Sequence, residues 1–416
     1  MKSYLKHYID GQWVDSDGGT PHQVIDPSTE QPVTKIMLGS AADVDKAVAA
    51  ARRAFETFSQ TSVAERVALL ERIIEEYKAR IPDLAKATSE EMGAPVGFAT
   101  AAQAPAGLGY FMGTLKALQE FRFEEIVGKS RVVHEPLGVV AMITPWNWPL
   151  NQICAKVAPA IAAGDTMILK PSEEAPSNAI ILAEILDKAG VPAGVFNLVN
   201  GDGAGVGTAL STHKGVDMVS FTGSTRAGIA VAQAAAATVK RVHQELGGKA
   251  PNLVLEGADL ATVLPPTVQG VLANSGQSCI APTRLLVHDS QADEAAQVAK
   301  AIFEATPVGD PADMGAHIGP VVNKAQFDKI QQLIQSGIDE GATLVTGGTG
   351  RPDGRNAGYY IRPTVFADVT PEMRIAREET FGPIATITRY ADREEAIRLA
   401  NATEYGLSAA ISGDPA

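Results

Sequence analysis

The sequence predicts an α/β protein that contains a doubly wound parallel sheet followed by a second α/β unit. From residue 139 onwards, short apolar segments of strand length alternate with segments of helical periodicity, which is the pattern of repeated βαβ units. Gly164 and Gly190 lie where helices would end in a left-handed residue, just before the second and third strands. With 416 residues, the chain also exceeds the usual size of one hydrophobic core.

The segment before residue 120 is predicted to be mainly helical. A first helix is indicated between Val44 and Phe58, because apolar residues recur there at intervals of three and four. Ser62 and Glu65 have the spacing of a capping box, so a second helix is expected to begin there. Residues 121–136 are instead expected to form an extended, partly exposed segment.

The parallel sheet is expected to contain a series of short apolar strands, each joined to the next by a helical segment. These strands are Val139–Ile143, Thr166–Leu169, Val195–Val199, Met218–Phe221 and Val239–Val242. After Gly247 a second series begins with Asn252–Leu255, Arg284–Val287 and a helix around Lys324–Ile338. The predicted domains are therefore a discontinuous one over 1–120 and 137–246, and a second one over 247–416.

Composition excludes several classes of protein. Asp and Glu number 48 against 35 Lys and Arg, and the net charge of −13 disfavours attraction to nucleic acid or anionic lipid. The amino terminus has no apolar signal region, and no apolar run has membrane-spanning length, so a cytoplasmic protein is expected. Cys154 and Cys279 are too few for a disulfide framework or structural zinc, and no metal site is predicted.

Cys279 is the leading candidate for a nucleophile. It ends the segment Asn274-Ser275-Gly276-Gln277-Ser278-Cys279, in which small and polar residues would leave its sulfur accessible. A cysteine taken alone is more often a small buried hydrophobe, so the other motifs have to support this interpretation.

Glu245 is a candidate base or ligand-facing acid. It ends an apolar strand and is followed by Gly247 and Gly248, which allow a sharp turn of the backbone. An acid at the carboxyl end of a parallel strand faces the crevice in which such sheets bind ligands. The alternative is a surface turn in which Glu245 pairs with Lys249.

Three further motifs follow strands of the predicted sheet. In Thr144-Pro145-Trp146-Asn147-Trp148-Pro149, the prolines and tryptophans could aim the Asn147 amide rigidly. The segment Phe221–Gly228 runs from a strand through a glycine turn into a helix start, which attracts phosphate. Lys170-Pro171-Ser172-Glu173 places an acid where ribose hydroxyls bind. The glycines of 201–207 match no dinucleotide fingerprint, and a loop before a helix is expected there.

Taken in order, the motifs P-W-N-W-P, K-P-S-E, F-T-G-S, E-L-G-G-K, G-Q-S-C and E-T-F-G-P resemble the aldehyde dehydrogenase superfamily along essentially the whole chain. The resemblance implies an NAD(P)-dependent enzyme of the hydrolytic type. It implies a Rossmann-like NAD-binding domain over 1–120 and 137–246, an oligomerisation arm over 121–136 and a catalytic domain over 247–416. A homodimer or homotetramer is expected. Family members continue past Ala416 with a helix, a glycine-rich substrate loop and an oligomerisation strand.

The resemblance also assigns roles to residues. Cys279 would be the nucleophile, Glu245 the general base and Asn147 the oxyanion donor. Lys170 and Glu173 would hold the adenosine ribose, and the acid at Glu173 would repel a 2′-phosphate and so favour NAD over NADP. The remaining cofactor contacts expected are Ile143, Thr144, Trp146, Ser172, Gly223, Ser224, Leu246, Glu379 and Phe381.

Three alternatives to this function remain. The first is a truncated relative that binds nucleotide without turnover. The second is an enzyme that acylates coenzyme A, although Glu245 in its motif favours hydrolysis. The third is a cofactor-free esterase that uses His243, which shares a strand face with Glu245. The substrate is a small-molecule aldehyde of unknown identity, and Tyr110, Gln152, Gln277 and Ile280 are expected to line its tunnel.

Overall fold

The computed structural model of the protein describes residues 1–413, which form two compact units. Unit 1 contains Met1–Ile25, Pro32–Glu91 and Phe98–Glu245. Unit 2 contains Asp26–Gln31, Met92–Gly97 and the described residues from Leu246 onwards. Both units are α/β, which confirms the predicted fold class. The contact boundary falls between 245 and 246, and two short early segments belong to unit 2, which sequence periodicity did not predict.

The elements up to Glu245 belong mainly to unit 1. The strands are β1 Lys2–Tyr4, β2 Lys6–Ile9, β3 Gln12–Asp15, β4 Thr20–Asp26, β5 Gln31–Leu38, β6 Glu124–Val127, β7 Ser130–Val133, β8 Val139–Ile143, β9 Thr166–Lys170, β10 Phe196–Leu198, β11 Met218–Thr222 and β12 Arg241–Glu245. The helices are α1 Ala41–Phe58, α2 Val63–Ala79, α3 Ile81–Met92, α4 Val96–Phe98, α5 Ala104–Glu120, α6 Pro149–Ala163, α7 Ser177–Lys188, α8 Thr208–Thr212 and α9 Thr225–Ala236.

A seven-stranded sheet in the order β12-β11-β8-β9-β10-β2-β3 forms the centre of unit 1. The strands from β12 to β10 are parallel, whereas β2 and β3 are antiparallel additions. Strands β8 and β9 are buried along their whole length. Helices α2, α5, α6 and α7 pack against one another, and α1, α8 and α9 form a second group. This is the doubly wound arrangement that βαβ connections produce.

Most predicted elements of unit 1 are present, with shifted ends. Ser62 does cap α2 through a capping box with Glu65. The fifth parallel strand was predicted at Val239–Val242 but lies at Arg241–Glu245, because Val239 has a φ of 54° and lies outside the sheet. The glycine segment 203–207 is a π-helical turn that runs directly into α8, rather than a flexible loop.

The first 38 residues form strands that the sequence did not predict, whereas the helices expected from Val44 and Ser62 onwards are present as α1 and α2. Strands β1, β5 and β4 make a separate three-stranded sheet, while β2 and β3 extend the large sheet. β1, β2 and β3 have only three or four residues, and most residues of β4 and β5 are polar or partly exposed. Their apolar periodicity is therefore too weak to be recognised without the tertiary partners.

Residues 121–136 contain the antiparallel pair β6 and β7. Its side chains are largely exposed, including the apolar Ile126, Val127 and Val133. An extended, partly exposed segment was predicted here. Its role as an oligomerisation arm remains a prediction.

Unit 2 is built on a six-stranded sheet in the order β15-β16-β17-β14-β13-β18, in which β15 is antiparallel. Apolar residues of β13, β14, β16 and β17 and of two helices form its main core. The strands are β13 Pro251–Val254, β14 Arg284–His288, β15 Thr343–Thr346, β16 Thr364–Ala367, β17 Ile384–Tyr390 and β18 Ala410–Ser412. The helices are α10 Leu260–Leu272, α11 Ala292–Ala305, α12 Lys324–Asp339, α13 Arg374–Arg377 and α14 Arg393–Ala400. Among residues 1–413, none of the helices combines the length and hydropathy of a membrane span.

Glu91 of α3 is a buried carboxylate that makes unit 1 sensitive to pH. It accepts hydrogen bonds from the backbone N–H of Ser177, at 2.9 Å, and from the Ser177 hydroxyl, so it holds the start of α7. Burial raises the pKa of Glu91 to about 7, against the opposing effect of these hydrogen bonds. The protonated acid is therefore favoured by folding. Its contribution is complete below the unfolded pKa, near 4.5, and is lost as pH rises through 7.

We expect Glu91→Gln to flatten the dependence of folding stability on pH. The amide stays neutral, so the stability of the variant relative to the native chain should increase by about 3 kcal/mol between pH 4.5 and pH 8. Urea unfolding at several pH values measures this difference. Glu90→Gln, which removes a partly exposed partner of Lys2, is the control and should follow the native curve. Parallel curves for Glu91→Gln and the native chain would contradict the prediction.

Candidate active site

Asn147 lies in the turn that joins β8 to α6. The helix begins at Pro149, whose fixed φ suits the first helical position. Asn147 is buried, and its backbone carbonyl accepts a 3.2 Å hydrogen bond from the side-chain amide of Gln103. The ring of Trp148 packs edge-on against Phe98, with 5.5 Å between centroids. The turn therefore holds Asn147 rigidly at the carboxyl end of a parallel strand, where such sheets bind ligands.

Two threonines at this edge have buried hydroxyl groups that find no hydrogen-bond partner among residues 1–413. Thr144 follows β8, and Thr222 ends the neighbouring strand β11, whose Phe221 is in register with Ile143. A buried hydroxyl destabilises a protein unless it is hydrogen-bonded. Trp146, two residues after Thr144, is half-buried. The carboxyl ends of β8 and β11 therefore fit a polar ligand.

The predicted ribose-binding residues follow β9. The buried ammonium of Lys170 donates to the carbonyls of Pro171, at 2.7 Å, and Gly201, at 2.8 Å, and lies 3.5 Å from a carboxylate oxygen of Glu173. Burial lowers the pKa of Lys170, and Glu173 opposes this shift. Ser172 is buried, and its hydroxyl accepts a 3.2 Å hydrogen bond from the backbone N–H of Glu174. Glu173 remains partly exposed, so its carboxylate can accept hydrogen bonds from ligand hydroxyls.

Gly223 and Ser224 form the turn between β11 and α9. The backbone N–H of Gly223 donates to the carbonyl of Glu245 at 3.0 Å, which ties the turn to β12. Ser224 caps the helix, because its hydroxyl accepts a bond from the N–H of Ala227. Ser224 and the residue after it are exposed at the start of a 12-residue helix. The unpaired N–H groups of such a helix start attract phosphate oxygens.

Glu245 ends β12, the edge strand of the large sheet. Its side chain is 48% exposed. The cause is its place on an edge strand with a single neighbour. One carboxylate oxygen lies 3.6 Å from Nε2 of His243, two residues earlier on the same face.

Lys156 of α6 is the other titratable group near Glu245. It is buried, and its ammonium donates to the hydroxyl of Ser220 at 3.1 Å. Burial lowers the pKa of Lys156 to about 8, while the charge of Glu245 opposes the shift. A lysine with this pKa can gain and lose a proton near neutral pH.

Cys279, in unit 2, follows a loop with an unusual backbone. Asn274, Ser275 and Gly276 all have left-handed conformations, with φ values of 54°, 56° and 74°. A Cβ atom on Gly276 would lie 2.0 Å from the carbonyl oxygen of Gly382, so only glycine fits. Cys279 itself is partly exposed. The sequence predicted an accessible sulfur, and the structure adds a strained loop behind it.

Gln277 does not line a tunnel as expected, because it is only 1% exposed and bonds within the protein. Its amide nitrogen donates to the carbonyl of Asn274 at 3.1 Å and contacts the sulfur of Met92 at 3.8 Å. Its amide oxygen accepts a 2.9 Å bond from the N–H of Val322. Gln277 therefore fixes the loop that carries Cys279.

Glu379 lies against the glycines of the L-G-G-K segment. Its carboxylate accepts a 2.9 Å hydrogen bond from the N–H of Gly248, and a Cβ on Gly247 would lie 2.6 Å from it. A Cβ on Gly248 would lie 2.3 Å from the carbonyl oxygen of Cys279. Gly248 is therefore required by a backbone contact, whereas a side chain at Gly247 would displace the Glu379 carboxylate. Burial raises the pKa of Glu379, and the Gly248 N–H opposes this shift.

Lys249 is not part of a surface turn with Glu245, the alternative that the sequence allowed. It is 2% exposed, and its ammonium donates to the hydroxyl of Thr380 at 3.0 Å. The amide of Gln326 donates to the carbonyls of Thr380 and Phe381 at 3.1 and 3.0 Å. Three segments, 247–249, 274–279 and 379–382, are thus joined within unit 2. Leu246, at the start of the first segment, is half-buried.

The site residues expected from the sequence are divided between the two units. Asn147, Glu245 and the residues that follow β8, β9 and β11 belong to unit 1, whereas Cys279, Leu246, Glu379 and Phe381 belong to unit 2. Sequence reasoning missed the roles of Thr222, Gln277 and Thr380. All three lie inside motifs that the sequence analysis singled out, so their place in those motifs could have identified them as part of the site. No cluster of potential metal ligands is found among residues 1–413.

Comparison with known proteins places these observations in a family. Residues 13–416 match the model of the aldehyde dehydrogenase family. The chain is 52% identical to 3-succinoylsemialdehyde-pyridine dehydrogenase of a Pseudomonas species, over 99% of this chain and 87% of that protein. It resembles the crystal structure of an aldehyde dehydrogenase from Bartonella henselae with a TM-score of 0.98 and 52% identity, covering 100% of this chain and 88% of the other.

A further similar structure is aldehyde dehydrogenase C of Pseudomonas syringae, in a cysteine-to-alanine variant complexed with NAD⁺ and octanal. Its TM-score is 0.98 at 48% identity, and the match covers 99% of this chain and 85% of that one. These matches extend over essentially the whole chain and confirm the resemblance predicted from the motifs. The protein belongs to the aldehyde dehydrogenase family and is an oxidoreductase that acts on aldehydes.

Proposed function

We propose that the protein oxidises an aldehyde to a carboxylic acid with NAD, through a thioester on Cys279. The observation that carries this proposal is the rigid presentation of Cys279. Its loop is held by Gln277 and packs against the glycines that contact Glu379. A partly exposed thiol, on a fixed loop joined to the segment of a candidate cofactor-binding carboxylate, suits nucleophilic catalysis coupled to oxidation.

NAD is the redox cofactor, and the residues that follow the parallel strands fit it. Glu173 would accept hydrogen bonds from the adenosine ribose hydroxyls, and the helix start at Ser224 would face the pyrophosphate. Thr144 and Thr222 offer unpaired hydroxyls at the same edge, with Ile143, Trp146, Lys170, Ser172 and Gly223 around them. In unit 2, Glu379, Phe381 and Leu246 would contact the nicotinamide ribose region. When bound, NAD⁺ accepts the hydride that the aldehyde carbon loses.

Cys279 acts first. Its thiolate adds to the aldehyde carbonyl and forms a bond between sulfur and carbon, which places negative charge on the former carbonyl oxygen. The Asn147 side-chain amide and the Cys279 backbone N–H donate hydrogen bonds to this oxyanion. The buried, braced position of Asn147 supports the role, since a donor that is already fixed needs no reorganisation. Loss of hydride then leaves a thioester on Cys279.

Glu245 acts in the second half of the reaction. Its carboxylate removes a proton from water, and the resulting hydroxide attacks the thioester carbon, which breaks the carbon–sulfur bond and releases the carboxylic acid and the Cys279 thiolate. Glu245 then gives the proton to solvent and is ready for the next cycle. The exposure of Glu245 supports this role because the group can reach water. Hydrolysis is therefore favoured over transfer of the acyl group to coenzyme A.

The assembly is proposed to be a homodimer or homotetramer. Strands β6 and β7 form an isolated two-stranded sheet that leaves Ile126, Val127 and Val133 exposed. Isolated hairpins are only marginally stable in water, and exposed apolar strands favour pairing with another chain. The other partner is the small-molecule aldehyde, and a net charge of −13 argues against nucleic acid.

The function is tested by measuring NADH formation with a panel of aldehydes. One relative is named 3-succinoylsemialdehyde-pyridine dehydrogenase, and one similar structure contains octanal. The panel should therefore include aromatic keto-aldehydes and straight-chain aldehydes. We expect turnover with NAD, weaker turnover with NADP because of Glu173, and no requirement for coenzyme A. Binding of NAD without NADH formation would favour a non-catalytic relative. Ester cleavage in the absence of NAD would favour the esterase alternative that uses His243.

A further inference from the structure

Lys249 is a buried cation in unit 2 that the reaction scheme leaves without a role. It follows Gly248 directly, and its ammonium donates a 3.0 Å hydrogen bond to the hydroxyl of Thr380. Its backbone carbonyl accepts a 2.8 Å bond from Nε of Arg284, on β14. Both its side chain and its backbone are therefore held in place.

Gly248 and Lys249 together hold the segment that contains Glu379 and Thr380. The Gly248 N–H bonds the Glu379 carboxylate, and the next residue, Lys249, bonds the side chain of Thr380, which follows Glu379. The backbone of Glu379 also hydrogen-bonds the hydroxyl of Tyr405. Two consecutive residues of one segment thus fix two consecutive residues of the other.

The charged groups near Lys249 come from β14, from α12 and from the segment that follows α13. Arg284 on β14 and Lys329 on α12 carry like charge, whereas Glu378 and Glu379, which follow α13, carry opposite charge. The Lys249 ammonium and that of Lys329 both favour the ionised form of Glu379. Removal of the Lys249 charge would therefore leave Glu379 with less support for its carboxylate form.

We propose that Lys249 is a positioning residue that holds Glu379 and Phe381 in their cofactor-binding conformation, and that binding of NAD weakens when its ammonium loses a proton. This inference rests on the proposed function, in which Glu379 and Phe381 contact the nicotinamide ribose. Lys249 acts through Thr380 and through the charge of Glu379, and not by touching the cofactor.

The structure gives the direction of the pH effect. Burial lowers the pKa of Lys249 to about 7, Arg284 and Lys329 add to this shift, and the two glutamates oppose it. At pH 6 the ammonium is charged, and at pH 8.5 most of it is neutral. The Kd for NAD is therefore expected to rise about fivefold or more between pH 6 and pH 8.5.

The test is a titration of the full chain with NAD, followed by tryptophan fluorescence at pH 6, 7 and 8.5. Lys249→Met keeps most of the side-chain volume without the charge, so its Kd should stay at the weak, high-pH value throughout. Thr380→Val keeps the charge and removes the hydroxyl, so it should weaken binding at every pH and retain the pH dependence. Lys324→Met removes an exposed lysine of α12 and should behave as the native chain.

Glu379→Gln separates this inference from the proposed function. If Glu379→Gln weakens NAD binding while Lys249→Met and Thr380→Val leave it unchanged, the role of Lys249 is overturned alone. If Glu379→Gln also binds NAD normally, the assignment of Glu379 to the cofactor is overturned, and the role of Lys249 with it. Unfolding midpoints are measured for all variants, and Thr380→Val decides the outcome if Lys249→Met does not fold.

Discussion

Cys279→Ala is expected to lower the rate of NADH formation from an aldehyde by about 10⁴-fold or more, because the covalent route is lost with the sulfur. Alanine cannot form the thioester, and the remaining hydrogen-bond donors do not provide another nucleophile. Binding of NAD should remain close to that of the native chain, since the cofactor contacts do not depend on the sulfur. Steady-state rates and a fluorescence titration measure the two quantities separately.

Cys154→Ala is the matched control for this variant. Cys154 is buried in α6, and burial raises the pKa of its thiol, so it is not available as a thiolate. Its replacement is expected to leave the rate of NADH formation within a few-fold of the native value. Normal turnover by Cys279→Ala, or complete loss of turnover in a folded Cys154→Ala variant, would show that the nucleophile has been assigned to the wrong residue.

Glu245→Gln is expected to slow hydrolysis of the thioester by about 10²- to 10⁴-fold, the usual contribution of a positioned general base. The amide retains the size of the side chain but cannot accept the proton from water. Addition of the thiol and loss of hydride should be affected less, so one rapid equivalent of NADH should precede a slow steady state. Stopped-flow absorbance of NADH resolves the two phases, and mass spectrometry detects the acyl group on Cys279.

His243→Gln is the companion to this experiment, because His243 lies 3.6 Å from the carboxylate of Glu245. We expect it to change the rate of hydrolysis only a few-fold, since Glu245 itself removes the proton. If His243→Gln instead gives the slow steady state and Glu245→Gln does not, the general base is the histidine. An unchanged steady state in both variants would remove each of them from the hydrolytic step.

The centre of the parallel sheet of unit 1 could be predicted from the sequence because its strands β8 and β9 are mostly apolar and buried along their whole length. Val139–Ile143 was predicted with the bounds that the structure shows, and β9 differs by one residue. Strands β1 to β5 could not be predicted in this way. β1 to β3 have only three or four residues each, and most residues of β4 and β5 are polar or partly exposed. β2 owes its place to pairing with β10, nearly 200 residues away in the chain, and β3 pairs with β2.

The candidate site was predictable in its motifs but not in its supporting contacts. Gln277 stands two residues before the nucleophile, and its partners Val322 and Met92 are 45 and 185 residues distant. No local sequence pattern predicts contacts between residues so far apart in the chain. A surface turn with Lys249 was left open as the alternative because lysine is rarely buried, whereas its partner Thr380 lies 131 residues further along the chain.

The left-handed run at Asn274, Ser275 and Gly276 has a consequence for the energetics of each reaction cycle. Such backbone conformations are unfavourable for non-glycine residues, so they persist only where surrounding contacts compensate for them. The conformational entropy of the nucleophile is therefore lost once, when the chain folds, and is not lost again whenever an aldehyde arrives. Substitutions that let this left-handed segment adopt other backbone conformations should slow the chemical step, even where the thiol, the binding of the cofactor and the overall stability are unchanged.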